Sequence, residues 1–343
     1  MIELVKPGTH IDFLGARGIC AMASVALIVI GIAAIPLRGF RTGIDFAGGT
    51  ELQIRFTGDG AVDEGSIRDI LGDLDIQGAA VVRYGTGDTR EFLVKLPGEL
   101  VLPGQSGDGE AALEALDADA GAEPAAEVVD SDASSTSPAE RVAFLRKLEG
   151  ALTEELGPVE IARVEFVGPK VGAELRRDGI LALSIACLMI LVYIGFRFSL
   201  RFAPGAVVAL VHDVVITSGI WVLLGFEFDL RVLAALLAIV GYSLNDTIIV
   251  YDRIRENLEV RTKRNFEEVL NLSVNQTLSR TLLTSITTLL AVLSLLFLGG
   301  PVIRPFALAM AIGIVIGTYS SVYVAAPTLL WLEQRFGGAP AKA

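Results

Sequence analysis

Cysteine is nearly missing from this chain of 343 residues, and the two that occur, Cys20 and Cys187, both lie inside apolar runs. Neither a disulfide framework nor a thiolate zinc site can be assembled from such a pair. A basic excess is missing too: 28 Lys and Arg stand against 40 Asp and Glu, giving a formal charge of −12 and an isoelectric point near 4.8. A nucleic-acid binder needs a basic stripe to neutralise phosphates, so nucleic acid is not an expected partner. The GxxxxGK[ST] pattern that cradles nucleotide phosphates is also absent, and Gly48-Gly49-Thr50 is too short to replace it. No ATPase activity, cofactor or metal is expected, and these glycines are read as a tight entry into a strand.

Apolar residues, in contrast, make up 52% of the chain, with a mean hydropathy of +0.58. They are concentrated. Uncharged runs cover Ile19 to Leu37, Gly179 to Phe196, Thr281 to Leu298 and Pro305 to Leu332. Phe202 to Phe226 and Val232 to Tyr251 are as long but contain His212-Asp213 and Asn245-Asp246. A bilayer core needs about 20 residues of helix, so six transmembrane helices are predicted, the first at 19–37 and the other five within 179–332. The first run is longer than the apolar stretch of a signal peptide, and Ala33-Ala34-Ile35-Pro36-Leu37 is a poor cleavage site, so it is read as a retained anchor.

Short-loop arginines and lysines set the orientation, because they are retained on the cytoplasmic side. With both termini cytoplasmic, that side holds Lys6, Arg17, Arg197, Arg201, Arg253, Arg255, Arg261, Lys263, Arg264, Arg335 and Lys342, against Arg231 and Arg304 opposite. Segments 1–18 and 333–343 are then cytoplasmic, and 38–178 is extracytoplasmic. Arg38, Arg41, Arg176 and Arg177 run against this bias, but long loops cross largely regardless of charge.

Within 38–178, Glu51 to Phe56 alternates like a strand, and Glu64 to Leu74 places Ile67, Ile70, Leu71 and Leu74 on one helical face. Ala79 to Tyr84 and Glu91 to Leu96 read as strands around a turn at Gly85-Thr86-Gly87-Asp88. A helix over Ala139 to Leu156 and a strand over Val159 to Val167 complete a βαββαβ order, the split βαβ of an α+β ferredoxin-like domain. An acidic insertion at 99–140, with Ala, Gly, Ser and Pro but no Lys or Arg, buries too little to order itself. Without its eleven acidic residues the charge falls from −12 to −1, so the protein's acidity belongs to that insertion.

A charge at mid-membrane costs about 2.5 to 3.5 kcal/mol on insertion scales, so Asp213 and Asp246 need a partner or water. Asp213 stands near mid-membrane, whereas Asp246 and Arg280 fall at comparable depths in the cytoplasmic half and are candidates for an ion pair. Gln276, Thr277, Arg280, Thr284, Thr287 and Thr288 share one face of the fifth helix, and Thr217 stands one turn from Asp213. With His212 and Asn245 these residues form a polar seam that could bind and release a proton as access alternates. The bland reading is that they hydrogen-bond helices together, at about 0.6 to 2 kcal/mol each. On the sixth helix, Gly313, Gly317, Ser321 and Ala325 form a small-residue stripe read as packing, within the chain or against a partner.

Six segments carry a family resemblance: Gly43-Ile44-Asp45-Phe46-Ala47-Gly48-Gly49-Thr50; Val164-Glu165-Phe166-Val167-Gly168-Pro169; His212-Asp213; Gly241-Tyr242-Ser243-Leu244-Asn245-Asp246; Asp252-Arg253-Ile254-Arg255-Glu256-Asn257; and Gln276-Thr277-Leu278-Ser279-Arg280-Thr281. In this order the chain, from about residue 10 to 335, resembles the SecF family. SecF is the membrane subunit that with SecD forms the SecDF export factor, a relative of the resistance-nodulation-division transporters. The resemblance implies a multi-pass protein of the bacterial plasma membrane that uses the proton motive force to draw preprotein out of the SecYEG channel. SecD, SecYEG, YajC and the preprotein are the implied partners. The essential aspartate and the arginine of the following helix map onto Asp246 and Arg280, and H+ is the implied coupling ion.

Three rivals remain. An intramembrane aspartyl protease would use the same two carboxylates, but its Gly-x-Gly-Asp is absent from the second helix. Half of a proton-driven exporter of small molecules or lipids would need the same intramembrane charges. A passive assembly subunit would need no proton cycle, and Asp246→Asn would be silent in it.

Overall fold

The computed structural model describes residues 10–58, 62–74, 76, 78–84, 90–97, 138–198, 201–260 and 265–336. The turn expected at 85–88, most of the acidic insertion at 99–140 and the tail beyond 336 lie outside these residues. Two compact units divide the chain, one of Met1–Arg41 with Gly179–Ala343, the other of Thr42–Asp178.

In the second unit, a one-turn helix α2 (Ile44–Ala47) precedes β1 (Gly49–Phe56), followed by α3 (Glu64–Asp73), β2 (Ala80–Tyr84), β3 (Glu91–Pro97), α4 (Pro138–Leu156) and β4 (Val159–Val167). All strand pairs are antiparallel, in the order β2-β3-β1-β4. The period of two decides which face of β1 is covered: Leu52, Ile54 and Phe56 are buried, against Ile67, Ile70 and Leu71 of α3 and Leu145, Leu148 and Leu152 of α4. Asp63 caps α3, its carboxylate accepting from the Ser66 amide at 2.7 Å and hydroxyl at 2.8 Å. These two bonds, the amide's first, hold the Asp63 carboxyl below its ordinary pKa.

The glycines before β1 have a structural cause. Gly48 ends α2 at φ +77°, and a Cβ there would lie 2.9 Å from the Pro169 Cα. A Cβ on Gly172 would come within 3.0 Å of the Gly48 amide nitrogen. Only glycine permits this approach and this φ together. The Gly48-Gly49 and Gly168-Pro169 segments, over a hundred residues apart in the chain, are therefore two halves of one contact.

Among the described residues, six helices are long and apolar enough to cross a membrane: α1 (Arg17–Arg38), α5 (Pro169–Arg197), α6 (Ala203–Leu224), α7 (Leu230–Val260), α8 (Phe266–Leu298) and the span Arg304–Arg335; apart from residues 169–178 of α5 they belong to the first unit. All six are helices where spans were expected, with bounds set by hydrogen bonding rather than by apolarity. The chain is already helical ten residues before Gly179, and α7 and α8 run well past the expected edges. The last span is not a single helix: α9 (Arg304–Ser320) and α10 (Ala326–Phe336) flank a π-helical turn, Ser321–Ala325. Its Ala325 carbonyl accepts from the buried Tyr251 hydroxyl at 3.2 Å.

Glycine sets the closest helix contacts. A Cβ on Gly31 of α1 would lie 2.8 Å from the Gly219 Cα of α6, and the converse distance is 2.9 Å. A Cβ on Gly313 would meet Ile239 of α7 at 2.2 Å, and one on Gly317 would meet the Ser243 Cβ at 3.0 Å. Those two members of the small-residue stripe thus pack inside the chain. Ahead of α1, Asn275 of α8 accepts from the Ile11 amide and donates to the Ile11 carbonyl, both at 2.8 Å, while Asn271 accepts from the Phe13 amide at 2.9 Å. Arg17 pairs with Glu267.

Candidate intramembrane site

Asp213 and Asp246, equivalent by sequence, have opposite surroundings. Asp213, 0% exposed on α6, is held from three sides. Its Oδ2 accepts from the Ser243 hydroxyl of α7 at 2.5 Å and the Ser320 hydroxyl of α9 at 2.8 Å, and its Oδ1 from His212 Nδ1 at 2.9 Å. The other ring nitrogen of His212 lies 3.0 Å from the Ser24 hydroxyl of α1, which is 3.1 Å from the Tyr319 hydroxyl; that group donates to the Cys20 carbonyl at 2.8 Å. Four spans are thereby joined through one carboxylate. Adjacent residues on a helix do not usually face each other. His212 nonetheless reaches Asp213, and its imidazole points outward to α1 while the carboxylate points inward.

Asp246, 1% exposed on α7, has almost nothing. Its Oδ1 is buried without a hydrogen-bond partner, and its Oδ2 has only the Ser285 hydroxyl of α8, at 3.4 Å. That hydroxyl lies at 2.7 Å from Thr318 Oγ1, whose own proton goes to the Ile314 carbonyl at 2.7 Å. Ser285 has a single proton, and the shorter contact takes it. Both oxygens of Asp246 are therefore under-coordinated in a buried setting, where an unmade hydrogen bond costs about 1 to 3 kcal/mol. Thr281 Oγ1, one turn from Ser285, and the Tyr242 hydroxyl, one turn from Asp246, are likewise buried and unpartnered. Thr217 Oγ1, one turn from Asp213, is also buried and without a partner.

Arg280 acts on Asp246 by charge from the neighbouring helix. The expected ion pair is not closed: among the described residues no carboxylate lies within 4.0 Å of the Arg280 guanidinium, whose side is exposed. The seam also divides. Asn245 and Thr287 are exposed rather than inside it, and Thr284 is half-buried, donating to the Thr281 carbonyl at 2.9 Å. The physical reason is angular: Asn245 adjoins Asp246, so when one faces the bundle the other turns about 100° away. Gln276 serves elsewhere, accepting from Asn257 at 2.8 Å beside Ser273 at 2.9 Å. Ser320, Ser24, Tyr319 and Ser285 carry no mark in the sequence, and Ser243 is marked only as part of the segment Gly241 to Asp246. A lone serine in an apolar run carries no signal until the aspartate it faces is known.

No group of three His, Cys, Asp or Glu among the described residues is disposed to hold a metal ion.

Comparison with known proteins bears on the family of the chain. Residues 148–335 match the family described as protein export membrane protein SecD/SecF, C-terminal, and residues 33–59 match the SecD/SecF GG motif. The chain is similar to the protein translocase subunit SecF of Magnetococcus marinus, 43% identical over 97% of this chain and 95% of that protein. It is 38% identical to the SecF of Pseudomonas aeruginosa over 96% and 93%. The crystal structure of SecDF from Thermus thermophilus superposes with a TM-score of 0.75 at 36% identity, over 98% of this chain. This chain spans 40% of that longer SecDF chain.

Proposed function

The chain belongs to the SecF family of protein-export membrane proteins, and on that premise we propose that it is the proton-coupled half of a SecDF-type export motor. It works with SecD in the bacterial plasma membrane, beside SecYEG and YajC, and draws preprotein outward in the late steps of translocation. Both termini are cytoplasmic and residues 38–178 lie outside, where the strand order β2-β3-β1-β4 supports reading the inserted domain as ferredoxin-like.

One observation carries the proton step: Asp246 is buried beside Arg280, Thr284 and Ser285 with one oxygen unpartnered and the other weakly held. A carboxylate in that position gains from taking a proton, which neutralises it, and from releasing it when Arg280 swings closer. H+ is accordingly the coupling ion, and no nucleotide is consumed by this subunit. Asp213, with His212, is given the role of fixing the spans between which Asp246 works. Arg280, Asn245 and Thr287 are exposed within a membrane-spanning stretch. Lipid is a poor environment for a guanidinium, so this face is assigned to the six helices of SecD.

The test is preprotein translocation into inverted vesicles with limiting ATP and an imposed proton gradient, comparing wild type with Asp246→Asn at matched complex levels. The variant is expected to assemble with SecD, keep ATP-driven transport and lose the gradient-driven increment. Wild-type transport by Asp246→Asn would leave the polar residues as structural and the subunit as scaffold.

A further inference from the structure

At the end of α1 from which the chain continues into the inserted domain, a crevice of about 510 Å³ opens between the termini of α1 and α6. Its walls are Leu37, Arg38, Gly39 and Arg41 on one side and Val222, Leu224, Gly225 and Phe226 on the other. Every charged residue on them is an arginine. These are two of the four arginines that violate the positive-inside bias, and nothing in the proton step uses them.

The local backbone is built to present them. Gly39 turns the chain at φ +77° and Gly225 ends α6 in the left-handed region at φ +75°, so both helices stop at the rim. The Arg38 guanidinium donates to the Leu223 carbonyl through one nitrogen, which anchors it across the crevice and leaves its other donors available. Arg41 is held by its backbone, its carbonyl accepting from the Phe228 amide at 2.8 Å. Its exposed guanidinium has no carboxylate within 4.0 Å among the described residues. Aromatic rings pack beside the crevice. Phe40 stacks on Phe228 at 4.7 Å, and Trp221 packs on Phe226 at 5.0 Å while its indole donates to the Glu227 carbonyl at 2.9 Å. Leu37, Phe40, Leu224 and Phe226, all exposed, continue the crevice towards the hydrocarbon.

We infer that this crevice is a phospholipid site, in which Arg38 and Arg41 hold the phosphodiester of an anionic lipid and the apolar rim takes the start of its acyl chains. Guanidinium forks match phosphate oxygens. An anionic headgroup is favoured over a zwitterionic one because the amine of the latter would add a third positive charge beside two arginines. Such a lipid neutralises arginines on the face where the positive-inside bias disfavours them, and ties the end of α1 to the leaflet. This inference is independent of proton coupling and would survive its failure.

Trp221 reports on the site, and Trp331 is the only other tryptophan. The full chain with Trp331→Phe would be reconstituted in phosphatidylcholine vesicles carrying a minor fraction of brominated phosphatidylglycerol or brominated phosphatidylcholine. The expected result is a preference for phosphatidylglycerol in quenching Trp221 of about fivefold, the effect of roughly one well-placed arginine at a membrane surface. Arg41→Gln should bring the two lipids to parity, and Arg41→Lys should retain part of the preference. Equal quenching by both lipids before any substitution overturns the proposal and needs no variant to fold. Loss of the preference in excess inorganic phosphate overturns its lipid part, since the site would then take a free anion.

Discussion

Replacing each buried aspartate in turn should have opposite consequences, and the two hydrogen-bond inventories predict them. Asp213→Ala removes the acceptor of three donors. Ser320 has a second acceptor, the Gly317 carbonyl at 3.1 Å, and loses least. The hydroxyl of Ser243 and Nδ1 of His212 have no other acceptor at hydrogen-bond distance among the described residues. Two buried donors left unpaired at about 1 to 3 kcal/mol each imply a destabilisation of about 2 to 6 kcal/mol. Asp246→Asn, by contrast, is isosteric and disturbs only a 3.4 Å contact with Ser285, which keeps its 2.7 Å contact with Thr318. It strands no buried donor that was paired before, so the destabilisation expected is well below that of Asp213→Ala. Unfolding midpoints of the purified chain in mixed detergent micelles would measure both, and transport assays at matched levels would show the reverse order of functional loss. If Asp213→Ala unfolds at the same midpoint as Asp246→Asn, the four-span connection contributes nothing and the division of roles between the two aspartates is wrong.

Two more outcomes follow from the geometry. Gly219→Ala puts a methyl carbon 2.9 Å from the Gly31 Cα, backbone against backbone with no side chain to yield, so α1 and α6 must part at a cost of about 1 to 3 kcal/mol; the same unfolding measurement should show it, while Gly241→Ala, with open space around it, should be neutral. Asp63 binds its proton less readily folded than unfolded, so its contribution to α3 is present above the unfolded pKa and is lost as the pH falls through the lowered folded value; hydrogen exchange of Glu64–Asp73 in the full chain should accelerate below about pH 4, and Asp63→Ala should remove that acid dependence.

Much of the architecture was legible because its causes are local. Twenty apolar residues must form a spanning helix whatever surrounds them, since lipid satisfies no backbone hydrogen bond. The period of two in Leu52, Ile54 and Phe56, and the spacing of three and four in Ile67, Ile70 and Leu71, likewise needed no tertiary information to yield strand and helix. The burial of Asp213 and Asp246 was also legible, because an aspartate inside such a run has few alternatives.

Residues distant in the chain decided the rest. No spacing rule tells that Gly31 opposes Gly219, or that Gly48 lies under Pro169, because each glycine is small for the sake of a backbone contributed by another segment. Nor could the two aspartates be told apart beforehand. Their difference lies in Ser243, Ser320 and His212 converging on one carboxylate while Ser285 turns to Thr318 instead of the other. The sequence alone determined that two carboxylates would be buried in the membrane, through the free-energy cost of charge in hydrocarbon. Tertiary structure decided which has its hydrogen bonds made and which keeps an oxygen without a partner, because hydrogen bonds are directional and short, and only the packing of four helices sets which hydroxyl each oxygen meets.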